Sequence, residues 1–167
     1  MVRRLWVFLG LAAFLLSTDV HAELPKPAGK ILLTVGGLID ETNSGDRAEF
    51  DRDMLESIGM VELTTQTPWT EGETRFAGVP VSRLLDLVAI RGAVVRASAA
   101  NDYQADIPVA TLRDAGAVLA MRMNGKDLTL RDKGPLWIVF PWSEQPELDR
   151  IEIYNYAVWQ LLTLHVR

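Results

Sequence analysis

The sequence predicts a single α+β domain with a mixed or antiparallel β-sheet and short helices, and three observations carry that prediction. Short apolar or alternating runs interleave with short helical patterns, without the regular strand-helix-strand rhythm of a parallel fold. Asn124-Gly125 sits between two alternating runs in "AVLAMRMNGKDLTL", the strongest short-range hairpin signal in the chain. The 167 residues contain no internal repeat and no second linker, so one domain follows from their length.

The first 22 residues have the layout of a secretory signal peptide. Arg3 and Arg4 precede an apolar run over residues 5–16, and small residues end at Ala22. That run is shorter than the roughly 20 residues a membrane-spanning helix needs. Cleavage after Ala22 is therefore expected, leaving a domain over residues 23–167.

After the proline-bearing lead "ELPKPAGK", "ILLTVGG" reads as a buried strand and "LIDETNSGDR" as a polar loop. "AEFDRDMLESIG" reads as one helix, with Phe50, Met54, Leu55 and Ile58 on a face and Gly59 as its stop. "MVELTTQT" is strand-like through its β-branched residues. "FAGVPVSRLLDLVAIRG" places a turn at Gly78 and Pro80, then a helix with Leu84, Leu85 and Val88 inward and Gly92 as C-terminal cap. "VVRASAANDYQADIP" reads as strand, polar bend and strand, and "VATLRDAG" as a short helix. In "RDKGPLWIVFP" a polar Gly-Pro bend runs directly into an apolar strand. "EQPELDRIEIYN" follows as a helix or turn, and "AVWQLLTLHV" as the last strand.

Composition excludes several chemistries. A net charge of −5 argues against nucleic acid as a partner, because phosphate contacts require a basic surface. With no cysteine in the chain, thiol nucleophiles, thiolate metal ligands and iron-sulfur clusters are absent together. His165, the one histidine beyond residue 22, lies at the chain end with no serine in a nucleophile-elbow pattern. Acidic pairs such as Asp51 with Asp53 read as solvated faces.

Aromatic and amide side chains in polar bends remain. Trp69 lies in "TTQTPWTEGE", Asn101 and Tyr103 in "ANDY", Trp137 beside "RDKGP", and Trp142 in "FPWSE", with Trp159 near the end. A planar heterocycle needs flat apolar walls and a few fixed donors and acceptors at its edge, and these bends supply both. Trp137 and Trp159 also read as core residues of apolar strands. Asp132, Asp102 and Glu71 are carboxylates in the same bends, each able to accept two hydrogen bonds from a planar fork of donors.

The order "FAGVPVSRLLDL", "NDY", "VLAMRMNGKDLTLRDKGPLWIVFP" and "YAVWQLLTLHV" resembles the sulfite-oxidase-type molybdopterin-binding domain, over about residues 32–166. The resemblance implies that Arg131, Asp132 and Lys133 occupy the bend that holds the pterin. It also implies that Thr67 stands about where relatives carry the cysteine that binds molybdenum, so molybdenum is not expected. The implied pterin-binding set is Thr67, Trp69, Asn101, Asp102, Tyr103, Arg131, Asp132, Lys133 and Trp137, with no catalytic residue and no covalently bound cofactor. The chain is further similar to small periplasmic pterin-binding proteins. That likeness implies a non-catalytic role, presenting a pterin signal to the periplasmic domain of an inner-membrane diguanylate cyclase/phosphodiesterase in biofilm control. Two other readings stay open: an adaptor with an empty pocket acting through its surface, and a molybdenum-cofactor oxidoreductase lacking the cysteine ligand.

Overall fold

The computed structural model describes residues 24–167, and the expected signal peptide lies outside them. Two sheets share one core. The first is built from β1 (Leu33–Gly37), β2 (Ala48–Phe50), β5 (Val94–Ala99), β6 (Gln104–Pro108) and β10 (Leu161–Val166), in the order β2-β1-β10-β5-β6. Its first and last strands in sequence, β1 and β10, pair in parallel, while the other neighbours are antiparallel. The second has the order β3-β4-β7-β8, from β3 (Val61–Gln66), β4 (Glu73–Pro80), β7 (Val118–Met123) and β8 (Lys126–Asp127). A further strand, β9 (Trp137–Val139), pairs with the first half of β7. Four helices cover them: α1 (Arg52–Ser57), α2 (Val81–Leu87), α3 (Val109–Asp114) and α4 (Ile151–Tyr156).

Strand alternation is visible in the burial of β5, where Val95, Ala97 and Ala99 point into the core and Val94, Arg96 and Ser98 are half-exposed. The β7–β8 turn is the expected hairpin. Asn124 (φ 51°) and Gly125 (φ 79°) both adopt the left-handed backbone that a two-residue primed turn requires.

Three local expectations are corrected. Residues 48–50 form strand β2 against β1 instead of opening a helix. The switch is set by Asp51, whose carboxylate accepts the N–H of Met54 and caps α1 at its true start. Phe50 is therefore a buried strand residue. Gly78 and Pro80 lie inside β4 and make no turn. A Cβ at Gly78 would collide with the Leu119 carbonyl, so the glycine permits a close strand approach at a bulge after Ala77. Leu84, Leu85 and Val88 are buried as expected, but α2 ends at Leu87 with Val88 as its cap, and Gly92 packs against the Arg167 carbonyl.

Asp51 also anchors the chain's lead, accepting the N–H groups of Ala28 (2.8 Å) and Gly29 (2.7 Å). The Met54 and Gly29 donors, aided by Ala28, outweigh the upward push of burial and hold this carboxyl below its ordinary value of 3.8. A depressed folded pKa contributes stability that is present above that ordinary value and is lost as pH falls through the folded one. Asp51→Ala is thus expected to lower Tm at neutral pH. Its deficit relative to the wild type should shrink progressively below about pH 4 in thermal melts. A constant deficit across that window would refute the ionised cap.

Candidate functional site

Behind the site is a packed set of aromatic rings. Trp69 follows β3 in a loop whose geometry is set locally: its N–H donates to Thr67 Oγ1 (3.1 Å), and the Thr67 and Thr70 hydroxyls share a hydrogen bond of 2.9 Å. The Trp69 indole meets Trp159, Tyr154, Trp137 and Trp142 edge-on, with centroid separations of 5.4, 5.8, 6.0 and 6.0 Å. Edge-to-face pairs contribute about 0.5–1.5 kcal/mol each beyond simple burial, so this half-buried residue ties three segments together.

Trp137 in β9 and Trp159 before β10 face each other across an isolated antiparallel bridge, with centroids 6.3 Å apart. Trp137 is fully buried, and its Nε1 has no hydrogen-bond acceptor. Trp142, by contrast, donates its Nε1–H to the Leu148 carbonyl (3.1 Å). Lys133 places its Nζ 4.6 Å from the Trp159 ring centroid and 5.7 Å from that of Trp137, a cation–π contact.

A cleft of about 360 Å³ opens beside these rings. Trp69 and Trp159 form one part of its wall, the β5–β6 bend contributes Asn101 and Tyr103, and α4 contributes Ile151, Tyr154 and Asn155. The Tyr103 hydroxyl donates to the Asn155 carbonyl (2.8 Å) and joins the bend to the helix. Asn101 Oδ1 accepts the Tyr103 N–H (3.2 Å), while its amide nitrogen keeps its donors for other partners. The lining is mainly apolar and aromatic with two amide side chains, which suits a flat, uncharged ring with polar edges.

A second, more polar cleft of about 350 Å³ shares Pro68 and Tyr154 with the first and is lined also by Thr67, Ser143 and Asp149. Tyr154 donates to the Asp149 carboxylate, and that bond, with burial and the adjacent charge, raises the phenol above its ordinary value of 10.0. Tyr156 is raised chiefly by burial and then by its bond to Glu152 (3.1 Å). Both phenols therefore remain hydrogen-bond donors through neutral pH.

Of the expected site residues, Trp69, Asn101 and Tyr103 meet at the first cleft, and Thr67 borders the second. Trp137 is a packed residue behind the walls, and Lys133 reaches the cluster only through its stack on Trp159. Asp102 sits at the exposed apex of the bend in a left-handed conformation (φ 64°) and lines neither cleft. Arg131 and Asp132 are exposed and border neither cleft. The Asp132 carboxylate instead accepts Thr129 Oγ1–H (2.7 Å), and its N–H bonds the Thr129 carbonyl, so it is occupied in holding its own turn.

Missing from the expected set were Ile151, Tyr154 and Asn155, whose i, i+3, i+4 spacing in "IEIYN" puts them on one helix face. Trp159, one of two tryptophans open to reading as core, is half-exposed and forms a wall.

Residues 42–145, more than half of the chain, match the family model of the oxidoreductase molybdopterin binding domain. The chain belongs to this family. No curated protein matched it. Among solved structures it is similar to the crystal structure of the sulfane dehydrogenase SoxCD from Paracoccus pantotrophus, with a TM-score of 0.62 and 20% identity. That likeness covers 81% of this chain and 38% of the other, so the chain spans well under half of that protein's length. It supports the same fold for this molybdopterin-binding-type domain.

A molybdopterin would meet a divided reception here. The flat aromatic walls of the cleft are of the kind its ring system would need. Its metal would find no protein thiolate, since the chain has no cysteine. Thr67 is 8% exposed, and its hydroxyl is already bonded to Thr70 and Trp69. No group of His, Cys, Asp and Glu side chains among the described residues is placed to hold a metal.

Trp69→Ala is expected to lower unfolding free energy in urea by about 2 kcal/mol, from lost ring contacts around a half-buried indole. Arg131→Ala, at an exposed position outside the clusters, is expected to change it by less than about 0.5 kcal/mol.

Proposed function

We propose that the first cleft binds a pterin as a ligand, and that the protein acts by carrying this ligand and not by metal-centred catalysis. The observation that carries the reading is the wall of Trp69, Trp159 and Tyr103 beside the two amides of Asn101 and Asn155. Flat rings gain from such walls by apolar burial and edge-to-face contact, and amides can match the donors and acceptors at a pterin's edge. Membership of the molybdopterin-binding family supports the ligand class. Thr67 in place of a thiolate supports the non-catalytic part of the reading.

The wider role we propose is that of a periplasmic protein whose pterin-bound form is presented to the periplasmic domain of an inner-membrane diguanylate cyclase/phosphodiesterase, controlling biofilm formation. Its support is the resemblance of the sequence to small periplasmic pterin-binding proteins and the signal-peptide layout of residues 1–22. Family membership favours a second reading, a molybdenum-cofactor oxidoreductase lacking the cysteine ligand.

Titration of the purified protein with neopterin, followed by calorimetry and tryptophan quenching, tests the first reading. Saturable one-to-one binding in the micromolar range is expected. Trp159→Ala and Tyr103→Ala should weaken it by about tenfold or more, and Asp132→Ala should leave it unchanged. Absence of saturable binding to oxidised and reduced neopterin alike would overturn the proposal. Stoichiometric molybdenum in protein purified from a cofactor-producing host would favour the oxidoreductase.

A further inference from the structure

The bend over residues 129–135 does not line the pterin cleft, and what it builds instead is a groove on its other side. About 410 Å³ in volume, the groove is formed by Ile31, Leu32, Leu128, Leu130, Pro135 and Leu162. Three of the seven exposed large apolar side chains among the described residues converge on it: Leu130 at 60%, Ile31 at 42% and Leu162 at 42% exposure. Single exposed apolar residues are ordinary; a cluster around one concavity marks a contact surface.

Leu130 is not a loosely held side chain on a mobile tip. The Gly134 and Asp132 N–H groups both bond the Thr129 carbonyl (2.6 and 2.9 Å), and Gln160 Nε2 bonds the Leu130 carbonyl (2.8 Å). The backbone that presents Leu130 outward is thus fixed from both sides, which lowers the entropic cost of binding there.

Charge identifies the occupant. Lys30 lines the groove and Arg131 follows Leu130, both exposed. Neither has an ion-pair partner among the described residues, whereas Arg91, Arg96, Arg113 and Arg122 each pair with a carboxylate. Lys30, an exposed and unpaired cation at the wall of an apolar groove, with Arg131 next to Leu130 in the chain, would steer and orient an acidic segment. The bend's own carboxylate, Asp132, is engaged by Thr129.

We infer that this groove docks an amphipathic segment of a partner protein, with apolar side chains seated between Ile31, Leu130 and Leu162 and flanking carboxylates paired with Lys30 and Arg131. The surface is separate from the pterin cleft, and the inference stands or falls independently of the ligand.

Selection from a random-peptide display library on the wild-type protein, with counter-selection on Leu130→Asp, tests it. The expected enriched sequences combine two or more apolar residues with neighbouring Asp or Glu. Synthetic copies should lose affinity by about tenfold on Leu130→Asp and by several-fold on Arg131→Glu or Lys30→Glu, the latter losses shrinking at high salt. All three positions are solvent-exposed, and unchanged thermal melts would show that the variants remain folded. Enrichment of basic or uncharged sequences, or of peptides that bind Leu130→Asp as well as wild type, would overturn the inference. So would concentration-dependent self-association abolished by Leu130→Asp, which would assign the groove to a second copy of the chain.

Discussion

The backbone bridge between Trp137 and Trp159 is the constraint on which both surfaces of this protein depend. It lies where the two sheets meet: β9 belongs to the second sheet, and Trp159 leads into β10 of the first. The Ile138 N–H bonds the Val158 carbonyl (3.0 Å), and the Leu161 N–H bonds the Leu136 carbonyl (3.0 Å), so residues 136–138 and 158–161 are held together on either side of the bridge. β10 is itself fixed by a parallel pairing with the first strand of the chain. A parallel contact between strands so far apart in sequence forms only when the rest of the domain is in place. The aromatic walls inherit that rigidity.

Inside this seam the chain tolerates an orphaned donor. Trp137 Nε1 is buried without an acceptor, and leaving such a group unmatched costs about 1–3 kcal/mol. Two of the rings around it stand almost perpendicular, Phe76 at 86° and Trp159 at 87°, an arrangement in which ring faces and edges alternate and electrostatics favour packing. Lys133 adds a cation over Trp159 from the solvent side. These contacts explain why a polar bend is joined directly to a buried strand. The strand fixes the bend, and the bend covers the aromatic seam with Lys133 while presenting Leu130 to solvent on its other side.

Much of this architecture was legible in the sequence because it rests on local signals. Asn124-Gly125 dictates a primed turn through backbone sterics alone, and the hairpin around "ANDY" follows from alternation on either side of a polar bend. Legibility failed where a distant partner decides. Asp51 marks locally where α1 starts, but that Phe50 before it joins a strand shows only once β1 is beside it. Nothing in "FAGVP" shows that Gly78 lies beneath the Leu119 carbonyl. The site divided along the same line. Trp69, Asn101 and Tyr103, evident as aromatic and amide residues in polar bends, meet at one cleft. Arg131 and Asp132 lie outside both clefts, because chain order does not show on which side of a bend a charge emerges.

The Thr67 hydroxyl has a structural role of its own in the loop after β3. A hydroxyl is a donor and acceptor of ordinary hydrogen bonds, and here it is used as one: Thr67 closes a local turn with Thr70 and takes the Trp69 N–H, which sets the indole into the ring cluster. A thiolate facing a metal could not fulfil that local role equally well, being a weak, diffuse acceptor and no donor. The loop is therefore organised to position Trp69, with Thr67 as the support of an aromatic wall.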